Sequence, residues 1–576
     1  MTQTSVSVGF GLYALQTKMD ARFRLFAPEE WGFPPSAPWH EFSSISDLHA
    51  GSVNALPYAT YEPDFWLLDG SYKFMPEDGA GVRFGLMSDA LSDEYGVIPL
   101  LEGFWPGIEI LFSEPRDIPG LTFRFSAATG DYASYVLVEY SGADGGATYY
   151  HPDSAEWSTN DPRSGITLIR VRFMRTSRPY RRMRVQAIDF GDLVWFEGDA
   201  VREATVVEEC APLSDELRAG ALDLRLWSDD AQFSVLNPQG DYFDLRERQP
   251  IAVHETVDGS RRLMGVYYLD AWENQSENEI SFSCTDILGL MDRMPTRGGL
   301  WTSGIAVEDL LESLLPPAGV PYVLDEALEG ALITGWIPAG TLRQALQQIA
   351  FAIGASVHTS RMWSLLIEPC KLAASEDATS AIARGEKGAQ QSVVLRPQIA
   401  GVEVTAHSYL PGTQEHTALD ASLSAGTYEI TFDRPLHTLS ASGATITTSS
   451  ANYARLHVAA PGAVTLTGKE YADTLRVHTI NDPTVTGSIK PVLRVTNATL
   501  VHPGNVAAVA QRVYDYHQQR HLQKMRLYAP EVEVGQVVTI DTLYGQQIRA
   551  LVERMSIDLA RGMVADVEAV GVVVES

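Results

Sequence analysis

Short apolar segments of β character recur along most of the sequence, and they constrain the fold more than any other feature. Between residues 72 and 197 the segments GIEILF, LTFRFS, YVLVEYS, ITLIRVRFM and MRVQAIDFGD follow one another, separated by Gly, Asp or Pro. In LTFRFS, Leu121, Phe123 and Phe125 alternate with polar residues. This alternation predicts a sheet with one buried and one solvated face. The whole pattern is typical of a β-sandwich or jelly roll.

A second β region and a helical region follow. The segments ALDLRLW, QPIAVHE, RRLMGVYYLDAW and EISFSC predict a β unit over residues 221–304. Apolar residues then recur at steps of four, three and four, at Leu342, Leu346, Ile349 and Ile353. This spacing predicts a helix with Thr341 as its N-cap and Gly354 as its C-terminal stop, within an α+β unit over residues 305–370.

One strand segment places a glycine between large side chains. In RRLMGVYYLDAW, Gly265 indicates either a β-bulge or a close approach of another backbone. Tyr267 and Tyr268 should point to opposite faces, with one ring in the core and the other at an interface; core packing alone is the alternative. Arg261 and Arg262 follow a hairpin turn, where they either pair with an acidic neighbouring subunit or are simply solvated.

The remaining stretches divide the chain further. Residues 1–70 mix apolar runs with Pro and Trp and are interpreted as an N-terminal arm. Residues 198–220 are interpreted as a linker that ends in a short helix, and the polar residues 371–395 as a connector. Residues 396–576 are predicted to form a β-rich domain that ends in a second β unit, with one helix near residues 505–526.

Composition and charge exclude several functional classes. The chain has 576 residues, enough for several domains, and 73 acidic residues against 43 basic ones give a net charge of −30. Such a surface repels polyanions, so we expect no tight nucleic-acid binding, although an acidic wall suits DNA in passage. Cys210, Cys284 and Cys370 are too far apart to suggest a zinc site or a disulfide framework. No apolar run is long enough for a membrane segment, and we expect synthesis in a cytoplasm.

The sequence carries no recognisable catalytic or cofactor motif. It has no GxSxG, HExxH, Walker A or strand-linked GxGxxG pattern, so we predict no enzyme activity, no catalytic residues and no cofactor. His517 and His521 have the spacing of two metal ligands on a helix. Because Gln518, Gln519 and Arg520 lie between them with no acidic ligand, a solvated helix face is the preferred interpretation, and we predict no metal.

Part of the first β region resembles a known kind of domain. IPGLTFRFSAATGDYASYVLVEYS and PYRRMRVQAIDFGD, within residues 71–197, resemble discoidin-like jelly rolls of the carbohydrate-binding type, which occur on phage tail proteins. This resemblance implies sugar contact through aromatic rings on loops, and the candidates in turn-rich segments are Trp105, Tyr149, Tyr150 and Trp157. The alternative places Trp105 in the core and the other three rings at a subunit contact.

The order of elements from about residue 220 to residue 571 resembles the tail hub proteins of tailed bacteriophages and related contractile injection particles. The resemblance rests on FSVLNPQGDYF, QPIAVHE, MGVYYLDAW, CTDILGLMD, LRQALQQIAFAIGASVHTSRMWSLLIEP and the terminal VGQVVTIDTLYGQQIRALVERMSIDLARGMVADVE. It implies a homotrimer in which two similar β-barrels per chain, the first over residues 221–304, form a pseudo-sixfold ring.

The sequence therefore predicts a mainly β, multidomain protein: an N-terminal jelly-roll β-sandwich followed by hub-type β-barrels with an inserted α+β unit. Its expected function is that of a structural virion protein, a trimeric hub at a phage tail tip or baseplate that adapts a sixfold tail tube to a threefold tip and guides DNA. The implied partners are the tail tube protein, the distal tail protein, the tape measure protein, a central spike or fibre and a host-cell glycan. A carbohydrate-binding tail adhesin and a hydrolase of cell-wall polysaccharide are the two alternative functions.

Overall fold

A computed structural model shows a mainly β, multidomain protein, as predicted. The structure describes residues 4–12, 21–25, 40–41, 86–100, 107–118, 120–125, 131–159, 161–185, 187–190, 192–228, 231, 234, 236–237 and 247–574, the last range with gaps at 258–259, 319, 363, 487–490, 529–531, 543–544 and 561–562. Within these residues the strand orders are open paths, so the predicted barrels correspond to open sheets in the described part of the chain.

The N-terminal third consists of strands in several sheets. The strands are β1 (Thr4–Leu12), β2 (Ala21–Leu25), β3 (His40–Glu41), β4 (Leu86–Leu91), β5 (Gly107–Ile118), β6 (Leu121–Arg124), β7 (Ala133–Gly142), β8 (Gly146–Tyr150), β9 (Glu156–Thr159), β10 (Arg163–Thr176), β11 (Arg182–Val185), β12 (Ala187–Phe190) and β13 (Asp192–Glu197). A six-stranded sheet has the order β3-β2-β5-β10-β7-β8, and β12-β6-β9 form a three-stranded sheet. Both sheets contribute to one apolar core, which is the arrangement of a sandwich.

The alternation predicted for β6 is only partly observed. Leu121, Phe123 and Phe125 are fully buried, as expected. Thr122, predicted to face solvent, is buried as well, and its hydroxyl lies 2.8 Å from the Ser158 hydroxyl on β9. The strand is central in its sheet, between β12 and β9, and a hydrogen-bonded hydroxyl is tolerated on its second face.

The next strands form the first half of the largest sheet. They are β14 (Val201–Glu209), β15 (Ala221–Trp227), β16 (Pro250–Val257), β17 (Ser260–Asn274) and β18 (Glu279–Thr285), and the strand order is β13-β1-β16-β17-β18-β15-β14. Two predictions are corrected here. The supposed linker contains strand β14 and no helix at its end, and the supposed arm contributes β1, which lies between β13 and β16. Both strands find partners far away in the sequence, which a local pattern does not reveal.

Gly265 lies at a β-bulge in β17, which is the first of the two alternatives given for it. Val253 of β16 pairs with Gly265, but the next residue, His254, pairs with Leu263, so one residue of β17 is extra. The φ angle of Gly265 is 148°, a conformation that L side chains rarely adopt. Tyr267 is buried in the core of the large sheet, while Tyr268 packs half-buried against the helical region. The side chains of Arg261 and Arg262 lie outside the described residues.

An α+β unit packs around three helices, and it begins at Ile287, before the predicted start at residue 305. Its elements are α1 (Ile287–Leu290), β19 (Pro295–Thr296), β20 (Gly299–Ala306), α2 (Val307–Leu314), β21 (Tyr322–Leu324), β22 (Leu332–Ile337), β23 (Gly340–Thr341), α3 (Leu342–Ile353), β24 (Ala355–His358) and β25 (Leu365–Pro369). The Thr341 hydroxyl accepts from the Gln344 amide, and the Gln344 side chain accepts from the Thr341 amide, which forms a capping box. Gly354 ends α3 in the left-handed conformation, so both predicted helix boundaries are confirmed.

The C-terminal part completes the largest sheet and adds a small inserted module. Its elements are β26 (Ser380–Ile382), β27 (Lys387–Leu395), β28 (Gly401–Ala406), β29 (Tyr409–Leu423), β30 (Gly426–Thr431), β31 (Leu436–Ser442), β32 (Thr445–Ser449), β33 (Tyr453–Val458), β34 (Gly462–Asp473), β35 (Arg476–Asn481), β36 (Val492–Val495), α4 (Val506–Gln518), β37 (His521–Tyr528), β38 (Val537–Asp541), β39 (Gln547–Asp558) and β40 (Val564–Val574). The supposed connector over 371–395 thus contains two strands, β26 and β27. Strands β29 to β34 form two three-stranded sheets around their own core, between the paired strands β28 and β35.

Candidate functional site

The two halves of the largest sheet meet at a strand pair formed by residues far apart in the sequence. The second half has the order β39-β40-β37-β27, and β39 pairs antiparallel with β14 of the first half. The pairing runs from Thr205 opposite Asp558 to Glu209 opposite Arg554, and Arg554 Nε lies 2.8 Å from Glu209 Oε1. Apolar residues of both halves belong to one core. We call this pair the sheet joint; it makes one continuous wall out of two β units.

A buried ion cluster lies beside the sheet joint. Arg361, in the turn between β24 and β25, places Nε 3.3 Å from Glu208 Oε1 and Nη1 3.4 Å from Glu533 Oε1. Its Nη2 also donates to the carbonyl of Val532 at 3.2 Å. One guanidinium therefore ties the α+β unit to both halves of the sheet.

Burial dominates the electrostatics of Glu208. Loss of water raises the pKa of this carboxyl, and the positive charge of Arg361 opposes the shift. The carboxylate occupies a core-facing position of β14, in line with buried Val206 and Cys210. In the segment VVEEC, Glu208 occupies a position of the strand alternation that is otherwise apolar. This is the sequence signal that could have revealed the cluster.

A second buried carboxylate fixes α4 against the sheet. The Tyr516 hydroxyl donates to Glu553 Oε1 at 2.8 Å, and Arg396 Nη2 lies 3.4 Å from Glu553 Oε2. Burial raises the pKa of Glu553, while Arg396 lowers it. Asp286, also buried, accepts from the backbone of Gly220 and Gly289, so it holds α1 on the first half of the sheet. Each of these carboxylates stabilises a contact between elements.

Two of the predicted sugar-binding rings pack against the core of the N-terminal sandwich, Tyr150 as a buried residue and Trp157 as a partly buried one. Tyr150 is buried, and its hydroxyl donates to Asp161 Oδ2 at 2.7 Å. Trp157 packs at 6.1 Å from Phe123 and 5.4 Å from Tyr150, measured between ring centroids. Trp105 lies outside the described residues. The structure thus gives Tyr150 and Trp157 a packing role.

Tyr149, the fourth predicted residue, lies at the surface in a row of rings. Its side chain is 53% exposed, on β8 at the edge of the six-stranded sheet. Its ring stacks on Tyr135 of β7 at 5.5 Å, and Tyr135 stacks on His151 at 4.7 Å. Tyr135 and His151 were not predicted, although the two-residue spacing of Tyr149 and His151 places them on one face of the chain.

The proposed metal spacing of His517 and His521 is not a helical pair. Helix α4 ends at Gln518, and His521 begins strand β37. In the described ranges no group of three or more His, Cys, Asp and Glu side chains is arranged to hold a metal ion. Cys210 and Cys284 are buried, and burial raises the pKa of the partly buried Cys370 thiol to about 11. Among the helices that the structure describes, none is long and apolar enough to cross a membrane.

Comparison with solved structures finds phage tail proteins. The tail protein from Neisseria meningitidis MC58 is 13% identical with a TM-score of 0.40, over 65% of this chain and 93% of that one. The 43 kDa tail protein of prophage MuSo2 from Shewanella oneidensis is 12% identical with a TM-score of 0.39, over 65% and 95%.

A secretion-system protein is also similar. The E. coli c3393 protein, a component of the type VI secretion system described as similar to T4 phage tail proteins gp27 and gp5, is 8% identical with a TM-score of 0.32, over 65% and 74%. No protein-family model matches the sequence, and no curated protein matches it.

Proposed function

We propose that this chain is a structural protein of a phage tail or a related tail-like particle, and that three copies form a hub at its tip or baseplate. The sheet joint carries this proposal. It places two β units, separated by an α+β unit in the sequence, side by side in one wall. Three such chains would present six β units around an axis, which is the arrangement needed to adapt a sixfold tube to a threefold tip.

The buried ion contacts support a mechanical role. Arg361 joins the α+β unit to both halves of the large sheet in the interior, and Glu553 joins helix α4 to the same sheet. Breaking a buried pair leaves an unpaired charge, which is costly, so the two β units are held in a fixed relation. A hydrolase would need two carboxylates facing a cleft. The buried carboxylates described above serve contacts between elements instead, and no catalytic role is part of the proposal.

The partners of such a hub follow from its position. The ring would contact the tail tube protein, the distal tail protein and the tape measure protein on one side, and a central spike or fibre on the other. The net charge of −30 favours passage of DNA over adhesion to the wall. The protein would reside in the virion.

The mass of the purified chain in solution tests the proposal. We expect light scattering to give three times the chain mass of 63.1 kDa, and electron micrographs to show threefold rings. A chain that stays monomeric at every concentration, with tail tube protein added, would contradict the hub.

The exposed ring row favours a second, compatible function, contact with a host-cell glycan. Tyr149, Tyr135 and His151 present stacked rings at a sheet edge, and aromatic faces suit the apolar face of a pyranose. On a glycan array we expect Tyr149→Ala to weaken binding about tenfold, the effect of roughly 1.4 kcal/mol. Tyr528→Ala, which removes an exposed ring far away in the sequence, is the control and should bind as wild type does. Equal glycan binding by Tyr149→Ala and Tyr528→Ala would contradict the proposed glycan contact.

A further inference from the structure

Strand β27 ends the largest sheet, and in the part of the chain that the structure describes its outer edge is apolar and has no covering strand. In the described part of the chain it pairs with β37 alone, so its other edge keeps unpaired backbone groups. Its last five residues are Gln-Ser-Val-Val-Leu, without a charge or a proline. Val393, Val394 and Leu395 are 58%, 46% and 57% exposed. Three consecutive exposed apolar residues on an end strand form what we call the β27 edge.

Two of these side chains continue the core face of the sheet. Gln391 pairs with Met525 and Val393 pairs with Gln523, so residues 391, 393 and 395 share a face with Met525. Met525 belongs to the buried core of the large sheet. The apolar layer that covers Met525 therefore stops before it reaches Val393 and Leu395. Gln523, opposite Val393, also keeps its buried Nε2 without a hydrogen-bond partner in the described chain.

Such an edge is unusual in a protein that remains a monomer. Exposed strand edges are ordinarily protected by lysine, proline, a bulge or a covering loop, because unpaired backbone groups pair with any suitable strand. Over residues 391–395 the pairing with β37 is regular, without a register shift. The edge thus has the features of a strand that another strand completes.

The sheet itself indicates which strand this is. Within one chain, the sheet joint pairs the inner edges of the two halves, β14 and β39. The outer edges of the same path are β27 and β13. In the described chain β13 pairs with β1 only, so it also ends the sheet.

We infer that the β27 edge of one copy pairs with β13 of a second copy, and so repeats between chains the contact that the sheet joint makes within one. This inference rests on the proposed hub and names the surfaces through which its subunits associate. A contact between two different edges is head-to-tail, and such contacts produce closed rings when the rotation between copies allows it. Three copies would close a ring of six half-sheets.

Charge at the β27 edge tests the inference in the full chain. Val394→Lys places a charge where the side chain is half exposed, so folding should persist, as far-ultraviolet circular dichroism can verify. Leu410→Lys, at a 61% exposed position on β29 of the inserted module, is the matched control. We expect light scattering to show trimers for wild type and for Leu410→Lys. Val394→Lys should form trimers only at a concentration at least tenfold higher.

Disulfide trapping identifies the partner strand. A cysteine at Val394 is combined, one position at a time, with cysteines along β13, and the wild-type chain with its own three cysteines is oxidised in parallel. Covalent trimers in a double variant only would support the inference. Dimers from Val394→Cys alone would show that β27 pairs with β27 and would overturn it.

The two proposals fail in different ways. Trimers that are insensitive to Val394→Lys and never trapped through β13 would overturn the β27 contact and leave the hub standing. A wild-type chain that stays monomeric with tail tube protein present would overturn both.

Discussion

At the scale of single residues, buried charges decide how the parts of this chain are held together. Arg361 is nearly inaccessible, and its guanidinium contacts Glu208 and Glu533. Glu208 is fully buried and would not tolerate burial without a cation nearby, whereas the Glu533 side chain is 40% exposed. A buried cluster of charged residues can thus resemble a catalytic cluster while serving as a fixed junction between elements.

Removal of Arg361 should destabilise the chain in a pH-dependent way. At a pH where Glu208 is ionised, we expect Arg361→Met to cost about 3–5 kcal/mol, because it leaves this charge unpaired in the interior. The pKa of Glu208 is already raised from 4.5 by burial, and loss of the cation raises it further. As the pH falls through that raised value Glu208 takes up a proton, so the destabilisation should shrink towards pH 5.

Urea unfolding of both proteins at several pH values measures this effect. Glu208→Gln is the control, since a neutral amide has no charge to lose. In a Glu208→Gln background the cost of Arg361→Met should be smaller and should lose most of its pH dependence. A cost that is the same at pH 5 and pH 8 would show that Glu208 does not titrate in this range.

At the scale of elements, the bulge in β17 shapes the first half of the largest sheet. Gly265 adopts a φ of 148°, and a Cβ there would lie 2.7 Å from Cε2 of the Tyr267 ring. Tyr267 is itself packed in the core, so it has little freedom to move. The glycine is therefore required by both backbone conformation and space.

Gly265→Ala should lower the free energy of unfolding by about 1–3 kcal/mol through backbone strain and crowding. The matched control is Gly385→Ala, where the φ is ordinary and no atom lies within 4 Å of the new Cβ. Thermal unfolding of the two variants beside wild type makes the comparison. Equal midpoints for both alanine variants would mean that the bulge relaxes at no cost.

At the scale of the whole molecule, one asparagine docks the inserted module on the α+β unit. The Trp336 indole donates to Asn452 Oδ1 at 2.8 Å, and Asn452 Nδ2 donates to the carbonyls of Arg297 and Ile337, each at 2.7 Å. The Asn452 side chain is fully buried. Three hydrogen bonds from one side chain cross the boundary between two separate cores.

Asn452→Ala should loosen this docking while both cores stay folded. Leaving the partners of a buried amide unsatisfied costs about 1–3 kcal/mol. We expect faster hydrogen exchange in β20, β22 and β33, with the sheet joint unchanged. Asn497→Ala, at an exposed position, is the control. Unchanged exchange in all three strands would argue that the module is held by other contacts.

The sequence by itself determined the local structure of this protein. Periodicity of two and of 3.6 residues distinguished strands from helices, and Thr341 and Gly354 marked the two ends of α3. Gly265 indicated either a bulge or a close approach of another backbone. Each of these signals acts within a few residues. Together with the resemblances to discoidin-like jelly rolls and to tail hub proteins, these local signals led to the prediction of a mainly β, multidomain chain.

Only the tertiary structure decided which strands are neighbours. The segments that form β14 and β27 were predicted to be connectors. In the structure β14 forms the sheet joint with β39, and β27 ends the same sheet. Likewise Tyr150 and Trp157 were predicted to be surface rings, but Tyr150 is buried and Trp157 packs partly buried against the core, while Tyr135 stacks on Tyr149 at the surface. A strand's alternation specifies which face is buried but not which edge it meets, since backbone hydrogen bonds are the same for every strand. The partner strand is selected by shape complementarity, core packing and buried charge between residues that lie hundreds of positions apart in the sequence. These contacts exist only once the chain has folded.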